Sequence, residues 1–225
     1  MMKATETMTS CGIVVDHIID QIAHKELNIG DKLPPERTLS AQLNVSRATV
    51  REAVKVLNYM GFVDSTQGSG NYVTDTYDRT VANIMQVMYL RGDVDFQSFT
   101  IFRQMLELQS FDLALEAATP EQTAEMKKVV DLLDICTDDD LIFSLDNRFH
   151  TLLAEASHNP LIIINFHALS RVIDEYMSDT YYGTVTKKNG FKQLQAYHHT
   201  IIDALIAKEK EKGRKAIIDH FSWIH

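Results

Sequence analysis

Residues 45–57 read VSRATVREAVKVL. Val50, Ala53, Val54 and Leu57 recur at i, i+3, i+4 and i+7, the spacing of one buried helix face. Arg47, Arg51, Lys55 and Asn58 point away from it. Ser46 stands just before the helix, where its hydroxyl can accept a free backbone N–H. Upstream, PPERTLSAQL (34–43) starts another helix with Pro35 at or near the first turn, where its missing N–H costs nothing. Leu39 and Leu43 share one face of it, and Asn44-Val45 is a tight connection. Two helices joined so closely, the second opening on Ser-Arg-Ala-Thr, form a helix-turn-helix arrangement, whose second helix lays its first residues in the DNA major groove.

The flanks fit that arrangement. CGIVVDHIIDQIAHKEL (11–27) carries Ile13, Val14, His17, Ile18 and Ile22 at helical spacing, and NIGDKLPP (28–35) is a breaker-rich link. Gly61 ends the third helix. FVDSTQGSGNYVTD (62–75) then gives two short β-type runs, Phe62–Ser65 and Asn71–Thr74, around a Gln-Gly-Ser-Gly turn. This hairpin predicts a wing, with Gly68 and Gly70 letting the backbone approach a minor groove. Within the recognition helix an arginine can fork onto guanine O6 and N7. Serine and threonine hydroxyls can bond phosphates or bases, and Ala48 can meet a thymine methyl. The helix N-terminus itself favours a phosphate.

The whole chain is acidic, with a formal net charge of −9 over 225 residues. The charge is uneven. Residues 1–75 hold 7 Lys/Arg and 9 Asp/Glu, a net −2, and residues 76–225 hold 15 and 22, a net −7. A near-neutral first part can present a local basic face, whereas the second would repel a phosphate backbone. No apolar run approaches the ~20 residues that span a bilayer. The start, MMKATETMTSCGIVVDHIID, lacks the pattern of a signal peptide. Cys11 and Cys136 are too few for a disulfide framework and read as free thiols, so the chain is expected to be cytoplasmic.

After Asp75 nearly everything has helical period. Helices are predicted near 79–90, 95–118, 121–135, 139–157, 160–182, 190–208 and 210–223, punctuated by Gly92, Pro120, Pro160, Gly183, Gly190 and Gly213. TDDD (137–140) reads as a solvated helix start. The expected fold is mainly α: a winged helix-turn-helix domain over 1–75 and an all-α antiparallel bundle over 76–225.

That bundle contains FSLDNRFHTLLAEASHNPLI (143–162), in which Asp146 and His150 leave the same helix face. Later helices carry His198 in AYHHTIIDAL and His220 in KAIIDHF. If they pack beside the first, one carboxylate and three imidazoles converge, a set suited to a divalent transition metal such as Zn, Ni, Fe or Cu. His199 competes with His198, since adjacent helix residues point about 100° apart. His17, His24, His158, His167 and His225 lack comparable inward-looking support.

LPPERTLSAQLNVSRATVREAVKVLNYMGFV followed by QGSGNYV resembles the DNA-binding domain of the GntR family of bacterial transcription regulators, over roughly residues 12–74. The resemblance implies binding to a palindromic operator in double-stranded DNA as a homodimer, usually with repression. It implies DNA contacts from Arg37, Ser46, Arg47, Thr49, Arg51, Gln67 and Gly68. Ala48 departs from relatives with a hydroxyl residue there. FRQMLELQSFDLALEAAT, DNRFHTLLAEASHNPLI, HHTIIDAL and AIIDHF resemble the FCD ligand-sensing domain of the FadR-type branch, over 79–222. That resemblance implies Asp146, His150, His198 and His220 as ligands of a metal, zinc first and nickel next. It implies Arg103 as the arginine that binds a small carboxylate effector. His158 stands where many relatives have glycine, and either lines the pocket or caps its helix.

Two other functions fit parts of the pattern. A bundle that only dimerises needs no metal. A metal-dependent hydrolase or lyase could use an Asp/His₃ site to activate water. However, the chain shows no separate general base at a diagnostic spacing, no H-E-x-x-H and no phosphate-cradling glycine loop, so it is not expected to be an enzyme.

Overall fold

The computed structural model describes residues 9–176 and 191–223. The chain divides into two compact units, Met1–Thr80 and Val81–His225. In the first, α1 (Ser10–Ala23), α2 (Glu36–Leu43) and α3 (Arg47–Tyr59) are followed by the antiparallel hairpin β1 (Val63–Thr66) and β2 (Gly70–Val73). Thr9 caps α1 by accepting the Gly12 N–H at 3.1 Å, and Ser46 caps α3 by accepting that of Thr49 at 3.1 Å. Pro35 immediately precedes α2.

The core of this unit follows the faces the periodicity marks, except that Ile13 of α1 is exposed. Val14 and Ile18 of α1, Leu39 of α2, and Val50, Ala53, Val54 and Leu57 of α3 are buried together with Val63 and Val73 of the hairpin. Gly61 must be glycine: its φ is +77°, and a Cβ there would meet the Thr76 carbonyl oxygen at 2.5 Å. The link at 28–35 does more than connect. Gly30 N–H donates to Val73 O, Val73 N–H to Asp31 O and Leu33 N–H to Asn71 O, so this segment adds an edge to β2 and braces the wing.

The second unit is helical among the described residues. α4 (Tyr77–Leu90) begins in the first unit and continues into the second. Then follow α5 (Phe96–Ala117), α6 (Pro120–Ile135), α7 (Asp139–Glu155), α8 (Pro160–Tyr176), α9 (Phe191–Ile206) and α10 (Lys210–Ser222). The expected helix over 160–182 is described as far as Tyr176. Its last residues, the glycines at 183 and 190, and His225 lie outside the described residues. Thr119 and Gln122 close a capping box at the start of α6, and Asp138 of the acidic run caps α7 through the Leu141 N–H at 2.9 Å. Helix α5 packs against α7, α8 and α10, while α9 packs against α6 and α10.

Phe111, Phe149, Met126, Leu153, Ile202, Ile217 and Phe221 lie fully inside the main core of this unit. Gly213 does not punctuate as the sequence suggests. It sits inside α10, where a Cβ would fall 2.0 Å from Phe111 Cζ, so its missing side chain makes room for that ring.

Candidate DNA interface and metal centre

The residues expected at DNA come from the start of α2, the start of α3 and the hairpin turn. Arg37 near the start of α2, Ser46, Arg47 and Arg51 on α3, and Gln67 and Gly68 at the hairpin turn are all exposed, and Thr49 is partly so. Ser46 Oγ lies 2.8 Å from Thr49 Oγ1, so the two hydroxyls are paired across the first turn of α3. A cleft lined by Lys32, Pro35, Glu36, Gln67 and Gly68 separates the start of α2 from the wing tip.

Glu36 is the participant that sequence reasoning missed. Its Oε2 accepts from Arg51 Nη1 at 3.1 Å and lies 3.7 Å from Arg47 Nη2. One carboxylate on α2 therefore gathers both outward arginines of α3. The signal was available, because a glutamate in the first turn of the preceding helix faces the next across so short a connection. Its role depends on the crossing of the two helices, which no spacing in the sequence reveals.

In the second unit, Asp146, His150, His198 and His220 come together in the interior. All four are buried, and each offers a ligand atom within 4.8 Å of the others. Asp146 and His150 come from α7, His198 from α9 and His220 from α10. His198 Nε2 lies 3.2 Å from His150 Nε2, 3.1 Å from His220 Nε2 and 3.3 Å from Asp146 Oδ1. The choice between His198 and His199 is made by packing: His199 points to the surface and meets Asp134 at 2.8 Å. His158 takes a left-handed conformation (φ +51°) after α7, is exposed, and reaches Gln122 at 3.1 Å. It therefore terminates a helix, away from the buried cluster.

A ring nitrogen carries either one hydrogen or one lone pair, so His198 Nε2 cannot satisfy three neighbours at once. Converging lone pairs repel unless a cation lies among them. With Zn–N distances of about 2.0–2.1 Å, nitrogens bound at a right angle are about 2.9 Å apart and at the tetrahedral angle about 3.3–3.4 Å. The observed spacings of 3.1 and 3.2 Å fall between. The donor set thus fits a divalent transition metal.

The electrostatics of His198, His220 and Asp146 agree with that fit. Burial pushes the His198 imidazole down to about 3 and that of His220 well below its usual value, so both rings are neutral and have lone pairs to offer. Burial alone would raise the Asp146 carboxyl, but His150, His198 and Arg103 outweigh it and hold the group well below the usual carboxylate range. For His150 burial acts downward, and the Glu107 and Asp146 charges reverse it, leaving the ring raised.

Glu107 organises this side of the site. It is fully buried on α5, and its Oε2 lies 2.8 Å from His150 Nδ1. A carboxylate only accepts, so the ring proton belongs on Nδ1 and the Nε2 lone pair faces the cluster. The other carboxylate oxygen, Oε1, accepts from Arg103 Nε at 3.0 Å. The guanidinium of Arg103 also lies 5.7 Å over the Phe166 ring. Arg103 is thereby fixed beside the cluster by a carboxylate and a ring. The sequence pairs Arg103 with Glu107 but does not disclose that Glu107 bridges Arg103 to a cluster histidine.

A winged helix-turn-helix unit joined to a helical unit with a buried Asp/His₃ cluster defines a class of two-part DNA-binding protein. Residues 12–73 match the model of bacterial regulatory proteins of the gntR family, and residues 100–222 match the FCD domain. The chain is 31% identical over 217 residues to the "Putative L-lactate dehydrogenase operon regulatory protein" of Escherichia coli K12, covering 94% of this chain and 83% of that one. It is 29% identical over 206 residues to the HTH-type transcriptional regulator LutR of Bacillus subtilis 168, covering 89% and 93%. A solved Streptococcus agalactiae GntR structure shares the fold, with a TM-score of 0.74 and 23% identity over 95% of this chain and 98% of that one. The chain belongs to the GntR family of transcriptional regulators, with an FCD domain as its second part. It is a DNA-binding regulator rather than an enzyme. No helix among the described residues is long and apolar enough to cross a membrane.

Proposed function

We propose that this regulator is a homodimeric, metal-containing repressor of a palindromic operator, released or retained by a small carboxylate effector. The observation that carries this reading is the meeting of Asp146, His150, His198 and His220 beside Arg103 in the interior of the second unit. These four side chains would hold the metal, zinc first and nickel next. When bound, the metal supplies positive charge and open coordination positions for a carboxylate oxygen. Arg103 supplies a fork for the same group, held ready by Glu107. The Escherichia coli relative named for an L-lactate dehydrogenase operon supports a small organic acid as effector here.

In the first unit, Arg47 and Arg51 would read base edges, and Arg37 a phosphate or base. Ser46, Thr49, Gln67 and Gly68 would hold the backbone of the duplex. The 1–75 and 76–225 segments thus divide the labour between DNA and effector. An effector changes operator affinity only as far as it binds two states of the dimer differently.

Metal analysis of protein purified without chelator tests the central feature. The expected result is about one equivalent of Zn or Ni per chain, lost in His198→Ala, with wild type melting higher when metal is added. A metal-free protein whose melting temperature ignores both ions supports instead a bundle that only dimerises.

A further inference from the structure

Ser170 on α8 is buried, 7% exposed, and its Oγ has no hydrogen-bond partner among the described residues. Other buried or half-buried hydroxyls of this unit satisfy themselves on the preceding helical turn. Thr100 donates to Phe96 O at 2.9 Å, Ser110 to Leu106 O at 2.7 Å and Thr151 to Asn147 O at 2.8 Å. Ser170 has the same option in Phe166 O and does not take it. An unpaired buried hydroxyl costs about 1–3 kcal/mol, so one that is kept calls for a partner.

Its neighbours along the helix indicate where that partner sits. Phe166, Ser170 and Asp174 are spaced by four residues and form one stripe of α8. At one end, Phe166 carries the Arg103 guanidinium over its ring. At the other, Asp174 Oδ2 accepts from Asn147 Nδ2 at 2.8 Å, and Asn147 adjoins Asp146 on α7. Arg103 and Asp146 both act on the Asp174 charge. Ser170 therefore lies on α8 between the ring that carries Arg103 and an exposed carboxylate tied to the residue next to Asp146.

We infer that Ser170 is an effector-contacting, specificity-determining residue, and that it selects a hydroxylated carboxylate over its deoxy counterpart. This rests on the carboxylate-effector reading above. The metal and Arg103 take the carboxylate charge. The remaining stripe offers a buried hydroxyl and, one turn on, the exposed carboxylate of Asp174, of which Oδ2 already accepts from Asn147. A group that accepts from Ser170 while donating to Asp174 is a hydroxyl.

The test is calorimetric titration of the full-length, zinc-loaded chain with a panel of carboxylates. The panel pairs lactate, glycerate and gluconate with propionate and hexanoate, and includes alanine as the amino counterpart. Wild type should bind at least one hydroxylated member about tenfold or more tightly than its deoxy counterpart, and Ser170→Ala should lose that preference. Without ligand, Ser170→Ala should melt no lower than wild type, because it discards an unsatisfied group. Retention of the preference in Ser170→Ala overturns the inference while leaving the effector reading intact. So does a wild-type preference for the deoxy or amino compound, or a ligand-free variant that melts several degrees lower. If wild type binds no member of the panel, the carboxylate-effector reading fails and the inference falls with it.

Discussion

Glu107 holds His150 and Arg103 at once, with Oε2 2.8 Å from His150 Nδ1 and Oε1 3.0 Å from Arg103 Nε. One carboxylate thus orients a cluster imidazole and the proposed effector-binding guanidinium. It ties what happens at the metal to what happens at the anion. Removing its charge while keeping its shape should disturb both. Glu107→Gln is expected to weaken zinc affinity about 10–100-fold in a chelator-competition assay, the range for partners that orient a ligand. Unchanged affinity would mean that His150 needs no such support.

DNA affinity should depend on the two arginines gathered by Glu36. Arg47→Ala and Arg51→Ala are each expected to cost about 1–3 kcal/mol of affinity for a duplex selected from a random library, with little change in melting temperature. Both side chains are more than half exposed, so stability has little to lose. Gel-shift titration reads the effect directly.

Glu36 itself predicts the opposite sign on unrelated DNA. Glu36→Gln removes a negative charge beside both arginines, so binding to a scrambled duplex should tighten and steepen in its salt dependence. Discrimination between selected and scrambled duplexes should fall, because the arginines lose the group that holds them together. Anisotropy titrations at several salt concentrations measure both effects.

Close packing at Gly213 gives a stability test that is independent of function. Gly213→Ala must displace the Phe111 ring from the centre of the core, since the new Cβ would lie 2.0 Å from it. The gain in helix propensity from glycine to alanine is about 1 kcal/mol, and overpacking of this kind costs about 1–3 kcal/mol or more. A net loss in denaturant stability is expected.

With metal removed, the second unit should lose stability as pH falls from about 6.5 towards 4. His198 and His220 are buried and neutral, with His198 near 3 and His220 well below its usual value, so the unfolded chain takes up their protons first. His150 acts the other way, because its raised folded value favours the protonated native state below 6.5. Two groups oppose one, and the net slope follows the two. Chelator-treated protein melted across this range should show it, and added zinc should shift the whole curve upward.

The period of 3.6 made α3 legible, because its inward face is unbroken from Val50 to Leu57. Asp146 and His150 were legible as a pair for the same reason, four residues apart on one helix. Spacing alone left His198 and His199 open, and the resemblance chose His198; the physical reason is the orientation of α9, which follows from packing against α6 and α10 and not from any local pattern. By spacing alone Arg103 and Glu107 look like an ordinary surface pair at i, i+4, and only the family resemblance singles out Arg103. Their burial, at 4% and 0% exposure, sets both beside the cluster. The edge formed by residues 30–33 could not be read, since a link rich in glycine and proline carries no strand alternation. Gly213 misled because a glycine near a helix start usually marks a break, whereas here it answers a phenylalanine more than a hundred residues earlier.

In the proposed function a carboxylate acting at the buried Asp/His₃ centre controls operator binding. Its most direct test is fluorescence anisotropy of the selected duplex with the full-length, zinc-loaded chain, titrated with the carboxylate that binds most tightly. Wild-type affinity for the duplex should change by about 5–150-fold, and His198→Ala should bind the duplex without responding. Operator affinity that ignores the carboxylate in wild type, or that responds equally in His198→Ala, would contradict the account.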